Sequence, residues 1–268
     1  MDSTVLKAID LLEALARAEG SCGVTELAKQ LGLTKSNVHR LLKTLESRGF
    51  VSRDPEDSRY ALALRLWELG SSVIDRLDVK RVAGPHLQQL AERTRETVHL
   101  SMLQEGDVVY VDKIDSPEPV RAYSRVGGRA PSYCVATGKA LLAYAPEELV
   151  QSVARALFPH TASTIRTEPA LRRELDAIRA RGFAINNGEW RESVWGLAAP
   201  IRQAPGRVVA AVGISGPAER LKPRRIKEFT PLVLATASTI SAQLGYRAPA
   251  EAHARHAATE RTTRGASS

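Results

Sequence analysis

From residue 4 to residue 19, apolar side chains fall at Val5, Ala8, Ile9, Leu12, Leu15 and Ala16, three or four positions apart, which predicts a helix with one buried face. The stretch EGSCG ends it. Val24 to Gln30 predicts a second, short helix with Leu27 and Ala28 inward, and Gly32 fits the left-handed residue just past its end. Thr34 has the chemistry of an N-cap for a third helix from Lys35 to about Arg48, whose buried stripe is Val38, Leu41, Leu42 and Leu45; Gly49 closes it. The period then drops to two. FVSRD and SRYALA, separated by Pro55-Glu56-Asp57, read as a β-hairpin.

Leu64 to Asp78 has a helical pattern and no turn cluster until Gly84-Pro85, so it is expected to connect the halves rigidly. A further helix is expected from His86 to about Arg95. Strand alternation follows in Val98, Leu100 and Met102, in VVYV and in VRAYSRV, and again in FAINN, VWGLAAPI and RVVAAVGIS. Helical stretches separate these strands at Thr137 to Tyr144 and Glu168 to Arg181, and Lys222 to Leu244 reads as one long helix. The expected architecture is α+β. Residues 1–65 form a three-helix domain with a hairpin, 66–80 a linker helix, 81–246 a sheet-and-helix domain, and 247–268, rich in Ala, Arg and Thr, a disordered tail.

Composition narrows the class. With 268 residues, 43 % hydrophobic and 25 % charged, the chain is ordinary globular material, long enough for two cores. No run of about 18 apolar residues predicts a membrane span, and the N-terminal stretch, with acids inside its apolar pattern, does not read as a signal peptide. Cys22 and Cys134 are the only cysteines, which fits a reducing compartment and an expected cytoplasmic location. The net charge is +8, yet residues 1–65 hold ten Lys/Arg against nine Asp/Glu. Within that near-neutral stretch, residues 33–53 carry Lys35, Arg40, Lys43, Arg48 and Arg53 against Glu46 alone, so positive charge is focused on one segment.

A short helix, a tight glycine turn and a second helix with a polar first turn make a helix-turn-helix, joined here at LGLTKS. Thr34, Lys35, Ser36, Asn37, His39, Arg40 and Lys43 fall off the apolar stripe and can face a major groove. Asn37 and Arg40 have the forks that read base edges, whereas Ser36 and Lys43 suit phosphates. The hairpin would be a wing, with Arg53 and Arg59 placed to touch backbone or minor groove. The competing reading of the same segment is a protein-binding three-helix module with a solvated basic face.

The run LKAIDLLEAL…GVTELAKQLGLTKSNVHRLLKTLESRGFVSRDPEDSRYALALRL resembles the winged helix-turn-helix of the IclR family of bacterial transcriptional regulators. RVGGRAPSYCVATGKALLA, TIRTEPALRRELDAIRARGFAINNGEW and VWGLAAPI…VVAAVGISGPAERL resemble its ligand domain in order and spacing, so the likeness covers about residues 4–245. It implies a GAF-like effector domain, a six-stranded antiparallel sheet flanked by helices. It also implies a homodimer or dimer of dimers on operator DNA and a small-molecule effector, without a cofactor or a resident metal. By the same resemblance the pocket lining would include Ala122, Ala130, Tyr133, Ala136, Thr137, Asn186, Val194, Gly196 and Ser215. Three positions depart from acid-sensing members: Asn186 where many have an acid, Gly196 where Cys is common, and Gly213 where Ser is common. With Tyr133, Trp190 and Trp195 close in sequence, these departures predict an effector larger or more aromatic than a two- or three-carbon keto acid. The alternative is that the aromatics serve only packing.

Several other signals fail on their own terms. Thr137-Gly138-Lys139 lacks a phosphate loop's first glycine, which would fall at Tyr133, and Ala140 replaces its Ser/Thr. Gly213 to Gly216 lacks the last glycine of a nucleophile elbow, since Pro217 stands there. Cys134 has no nearby His as base, and His86, His99 and His160 are scattered, as are His253 and His256 in the tail. The reading is therefore a ligand-responsive repressor, not an enzyme. A small-acid-processing enzyme with an appended helix-turn-helix is the alternative, and a protein-binding adaptor a third.

Overall fold

The computed structural model describes residues 3–18, 20–74 and 78–247, and the chain divides into two compact units, residues 1–76 and 77–268. The first unit opens with helices α1 (Ser3–Arg17), α2 (Val24–Leu31) and α3 (Lys35–Ser47). Their apolar stripes meet in one core of Leu11, Leu15, Leu27, Val38, Leu41 and Leu42, closed by Val51 and Tyr60 from the hairpin. Strands β1 (Val51–Arg53) and β2 (Tyr60–Leu62) pair antiparallel with Arg53 opposite Tyr60. Tyr60 also exchanges two 2.8 Å backbone hydrogen bonds with Cys22, so the wing is tied to the α1–α2 connection. Helix α4 (Leu64–Ile74) ends the unit.

The second unit begins with α5 (Asp78–Thr94), which runs straight through Gly84-Pro85, where the sequence predicts a break. A proline inside a helix costs about 3 kcal/mol. Ala83, Leu87, Leu90 and Ala91 from the two turns around it are buried against the sheet, and full burial of each leucine is worth about 2 kcal/mol. Packing therefore outweighs the local penalty. The expected continuous connection from Leu64 to Asp78 includes residues 75–77, and the expected disordered tail is 247–268; residues 75–77 and 248–268 lie outside the described residues.

Strands β3 (Thr97–Gln104), β4 (Asp107–Ile114), β5 (Arg129–Pro131), β6 (Ala184–Asn187), β7 (Val194–Gln203) and β8 (Arg207–Pro217) form one antiparallel sheet in the order β5-β4-β3-β8-β7-β6. Between them come α6 (Ala136–Leu142), α7 (Glu147–Arg155) and α8 (Glu168–Arg181), and α9 (Pro223–Gln243) follows the last strand. The α+β class and the six-stranded sheet flanked by helices are as expected; α7 has no counterpart in the expected elements. VRAYSRV is not a strand. Pairing with β4 resumes only at Gly127 and Gly128, and the segment runs as an irregular wall with Ala122 buried and Tyr123 exposed.

Strand alternation divides the sheet into two faces. Leu197, Ala199, Val212 and Ile214 face α5 and α9, whereas Ala198 and Ala211 face α6 and α8. The small residues let α6 lie close to the sheet, and every residue of that helix is buried. At Gly138 a Cβ would sit 2.3 Å from the Ser132 carbonyl oxygen, so only glycine allows that approach.

Candidate functional site

Gly32 takes the left-handed conformation (φ 64°) that turns the chain between α2 and α3. Thr34 then caps α3, its Oγ1 accepting from the Asn37 backbone N–H at 3.3 Å. At 100° per residue, Ser36, Arg40, Lys43 and Ser47 stand opposite the stripe of Val38, Leu41 and Leu42. Lys35, Ser36, His39, Arg40 and Lys43 are exposed, while Asn37 is half-buried on one flank. Lys43 leans on Glu46 at 2.9 Å, an exposed pair of little net worth that phosphate can replace. On the wing, Arg53 donates to Ser58 Oγ at 2.6 Å and stays exposed.

Arg59 is a correction. Rather than reaching outward, its guanidinium donates to the Ser21 carbonyl at 2.7 Å and to Glu26 Oε2 at 2.8 Å. Glu26 also accepts from the Gly23 N–H at 2.9 Å, and these bonds, the backbone one foremost, hold its carboxyl below the usual range. Arg59 thus clamps the wing to the start of α2.

In the second unit a cavity of about 50 Å³ lies on the α6 face of the sheet. Ala136 and Thr137 at the start of α6 form one side, Asn186, Val194, Gly196 and Ser215 the strand floor, and Ala122, Tyr123 and Ser124 a further wall. Trp190 and Arg191 come from the β6–β7 loop, His99 and Tyr110 from β3 and β4. Seven of the nine residues expected to line the pocket do so. Ala130 and Tyr133 do not. Ala130 is packed with Val108, Tyr110 and Val135, and the Tyr133 hydroxyl is held by Phe158, accepting from its N–H at 2.9 Å and donating to its carbonyl at 3.1 Å. Trp195 is on the opposite face, because neighbours on a strand alternate and Val194 and Gly196 point into the cavity.

The departures resolve unequally. Asn186 spends its amide on the loop above it, accepting from the Glu189 N–H at 2.9 Å and donating to the Val194 carbonyl at 3.3 Å. Gly196 is the looser of the two glycines: a Cβ there would stand 3.0 Å from the Ile214 carbonyl oxygen and 3.5 Å from Ala136, at the floor of the cavity. Gly213 opens nothing: a Cβ would meet Ala198 and the Leu197 carbonyl at 2.7 Å and the Thr137 methyl at 3.0 Å. The room expected from a missing Ser is already filled.

Sequence reasoning missed His99, Tyr110 and Arg191. The alternation of Val98, Leu100 and Met102 already places His99 and Ser101 on the opposite face, but not that this face carries the cavity. His99 Nε2 sits 2.7 Å from Ser215 Oγ, and the ring lies against Tyr110 with centroids 4.9 Å apart. Burial, aided by the Lys113 charge, lowers the His99 pKa to about 4, so the imidazole is neutral near pH 7. Burial likewise pushes the Tyr110 phenol up to about 12. Lys113 is occupied by the Ser124 carbonyl (2.6 Å) and Asp115 (3.0 Å). The Arg191 guanidinium stacks over Trp190 at 5.0 Å and, among the described residues, makes no hydrogen bond or ion pair, while its backbone carbonyl accepts from the Val194 N–H at 2.9 Å. It is the cation available to a bound anion.

Lys139 of the Thr-Gly-Lys triplet is buried and pairs with Glu189 at 2.6 Å and Glu174 at 3.4 Å. Burial pushes the Cys134 thiol up to about 12, which removes it as a thiolate nucleophile. Among the described residues, no helix is long and apolar enough to cross a membrane.

A capped, cation-bearing recognition helix with a wing, in one chain with a sheet domain holding a mostly apolar cavity edged by a few polar groups, defines a ligand-sensing DNA-binding regulator. Residues 4–55 match the IclR helix-turn-helix domain and residues 71–242 the bacterial transcriptional regulator IclR C-terminal domain. The chain belongs to the IclR family of transcriptional regulators and is not an enzyme. It is 37 % identical over 246 residues to the HTH-type transcriptional regulator KdgR of Escherichia coli, covering 91 % of this chain and 93 % of that one. The crystal structure of Thermotoga maritima IclR aligns with a TM-score of 0.75 at 34 % identity, covering 92 % of this chain and all of that one. An IclR homologue from Microbacterium hydrocarbonoxydans, complexed with 4-hydroxybenzoate, aligns at TM-score 0.79 and 26 % identity, covering 90 % and 99 %.

Proposed function

We propose that this regulator reads its operator with Thr34, Lys35, Ser36, Asn37, His39, Arg40 and Lys43, with Arg53 on the wing against the neighbouring backbone. Arg40 and Asn37 take base edges, and Ser36 and Lys43 take phosphates. It acts in the cytoplasm as a homodimer or dimer of dimers on two half-sites, repressing an adjacent catabolic operon. The exposed apolar residues Leu6 and Ile9 on α1 and Leu64 and Trp67 on α4 support self-association.

The effector is a compact aromatic acid, larger than the cavity of about 50 Å³, so its binding widens the space between the Ala122–Ser124 wall and the Trp190 loop. Arg191, standing unpaired beside the Trp190 ring at the mouth of a cavity whose other polar groups are neutral, carries this reading. The carboxylate meets Arg191, the ring lies among Trp190, Tyr110 and Val194, and His99, Ser215 and Thr137 offer hydrogen bonds to a ring substituent. The ligand changes DNA affinity only by binding one arrangement of the protein better than another, and the coupling is typically about 1–3 kcal/mol. A thermal-shift screen tests it. Benzoates and hydroxybenzoates raise the melting temperature and weaken operator binding in a gel shift; stabilisation by glyoxylate or pyruvate alone overturns it.

A further inference from the structure

On the other face of β6 and β7 lies a second, larger hollow, about 440 Å³, between the strands and the first turns of α9. Its walls are Phe183, Ile185 and Trp195 from the sheet side and Pro223, Ile226 and Pro231 from the helix. Lys227 is the cation in the lining, and Asn187 and Thr230 complete the polar rim. Lys227 is exposed and, among the described residues, carries no ion pair. Its neighbour Glu228 is taken by Arg225 at 2.9 Å, which leaves the Lys227 ammonium uncompensated in that turn. Lys222 and Arg224 add exposed positive charge one turn earlier.

The two hollows share a wall. Asn186, Val194 and Gly196 point into the first, and Ile185, Asn187 and Trp195, their immediate neighbours, point into the second. A displacement of β6 against β7 alters both.

We propose that the α9 hollow is a second ligand site, for a monocarboxylate with an apolar body of about ten carbons, its head on Lys227 and its body between Trp195, Phe183 and Ile226. The volume lies within the ordinary range for small-ligand sites, about 300–1,000 Å³, and the mix of an apolar lining with one convergent charge is characteristic of them. Charge complementarity selects the anion; the aromatic and proline walls select the apolar body.

Decanoate is the probe, titrated calorimetrically into the full-length protein. Binding below 1 mM is expected. Lys227→Glu weakens it at least tenfold, and Thr230→Trp, which fills the hollow, abolishes it, while both variants keep wild-type melting cooperativity. Arg191→Ala, in the first cavity, changes decanoate affinity less than twofold. Three results overturn the proposal: no heat of binding up to 5 mM; loss on Arg191→Ala with retention on Lys227→Glu, which puts decanoate in the first cavity; or dissociation of the assembly by Thr230→Trp in sedimentation velocity, which makes the hollow an interface between copies. Failure of the aromatic-acid reading at the first cavity leaves the Lys227 and Thr230 outcomes unchanged, so the two are separable.

Discussion

His99 and Ser215, on adjacent strands, are joined by a 2.7 Å contact between Nε2 and Oγ in the floor of the cavity. On the ring's other side, Nδ1 has the Ser124 hydroxyl 3.5 Å away. A neutral imidazole between two hydroxyls presents one donor and one acceptor, and each hydroxyl can rotate to match. The contact can therefore reorient toward a donor or an acceptor brought into the cavity without changing charge.

That neutrality predicts a pH signature. The unfolded imidazole takes up a proton near 6.5, whereas the folded one resists until about 4. The stability contributed by neutral His99 is thus present above 6.5 and lost as pH falls toward 4. Over that window of about two and a half units, up to about 3 kcal/mol is at stake. Urea denaturation at pH 7.5 and pH 5 measures it, and His99→Gln should flatten the difference between the two values. An unchanged pH dependence in the variant assigns the effect elsewhere.

Gly196 and Gly213 should respond differently to the side chains common at their positions in acid-sensing relatives. Gly213→Ser drives a Cβ into Ala198 and the Leu197 carbonyl, both at 2.7 Å, and overpacking of that kind costs about 1–3 kcal/mol. Gly196→Cys meets the Ile214 carbonyl oxygen at 3.0 Å and otherwise enters the cavity, so it costs less stability and reduces effector affinity. Thermal melts with a ligand titration separate the two; equal destabilisation contradicts the packing described.

Arginines on the DNA-binding unit fall into two kinds. Arg40→Ala lowers operator affinity and relaxes base preference, by about 1–3 kcal/mol for a bidentate contact, and Lys43→Ala weakens all DNA alike and reduces the salt slope by about one. Arg59→Ala instead lowers the melting temperature by releasing Ser21 and Glu26, with a smaller effect on base preference. Gel-shift titrations at several salt concentrations distinguish these. A base-preference change in Arg59→Ala as large as that in Arg40→Ala removes the clamp assignment.

Lys139 holds two carboxylates from inside the domain. Burial raises the Glu189 pKa, with the Lys139 charge working against it. Removing the cation leaves Glu189 uncompensated, so Lys139→Met should destabilise by about 3–5 kcal/mol, and the double variant Lys139→Met, Glu189→Leu should recover much of that. Denaturation midpoints of the two variants decide it. No recovery in the double variant places the cost in packing rather than charge.

The recognition unit was legible because its information is local. A 3.6-residue stripe, the Gly32 turn and the Thr34 cap lie within one short stretch, and each acts on its own neighbours. The cavity was less so. His99 was visible as a polar position in an alternating strand, but the same alternation describes both faces of the sheet, and nothing nearby says that α6 covers one and α9 the other.

By itself the sequence determined the helix-turn-helix, the cations opposite its apolar stripe and most of the helices and strands, α7 and β5 excepted, since propensity and periodicity act between residues a few positions apart. Only the tertiary structure decided that Arg59 turns inward to Ser21, 38 positions away, that Trp195 faces away from Trp190, that α5 survives Pro85, and that Gly213 is packed tighter than Gly196. Those outcomes depend on what arrives across space to fill, pair with or bury a group, and burial and steric exclusion follow three-dimensional neighbours rather than the order of the chain.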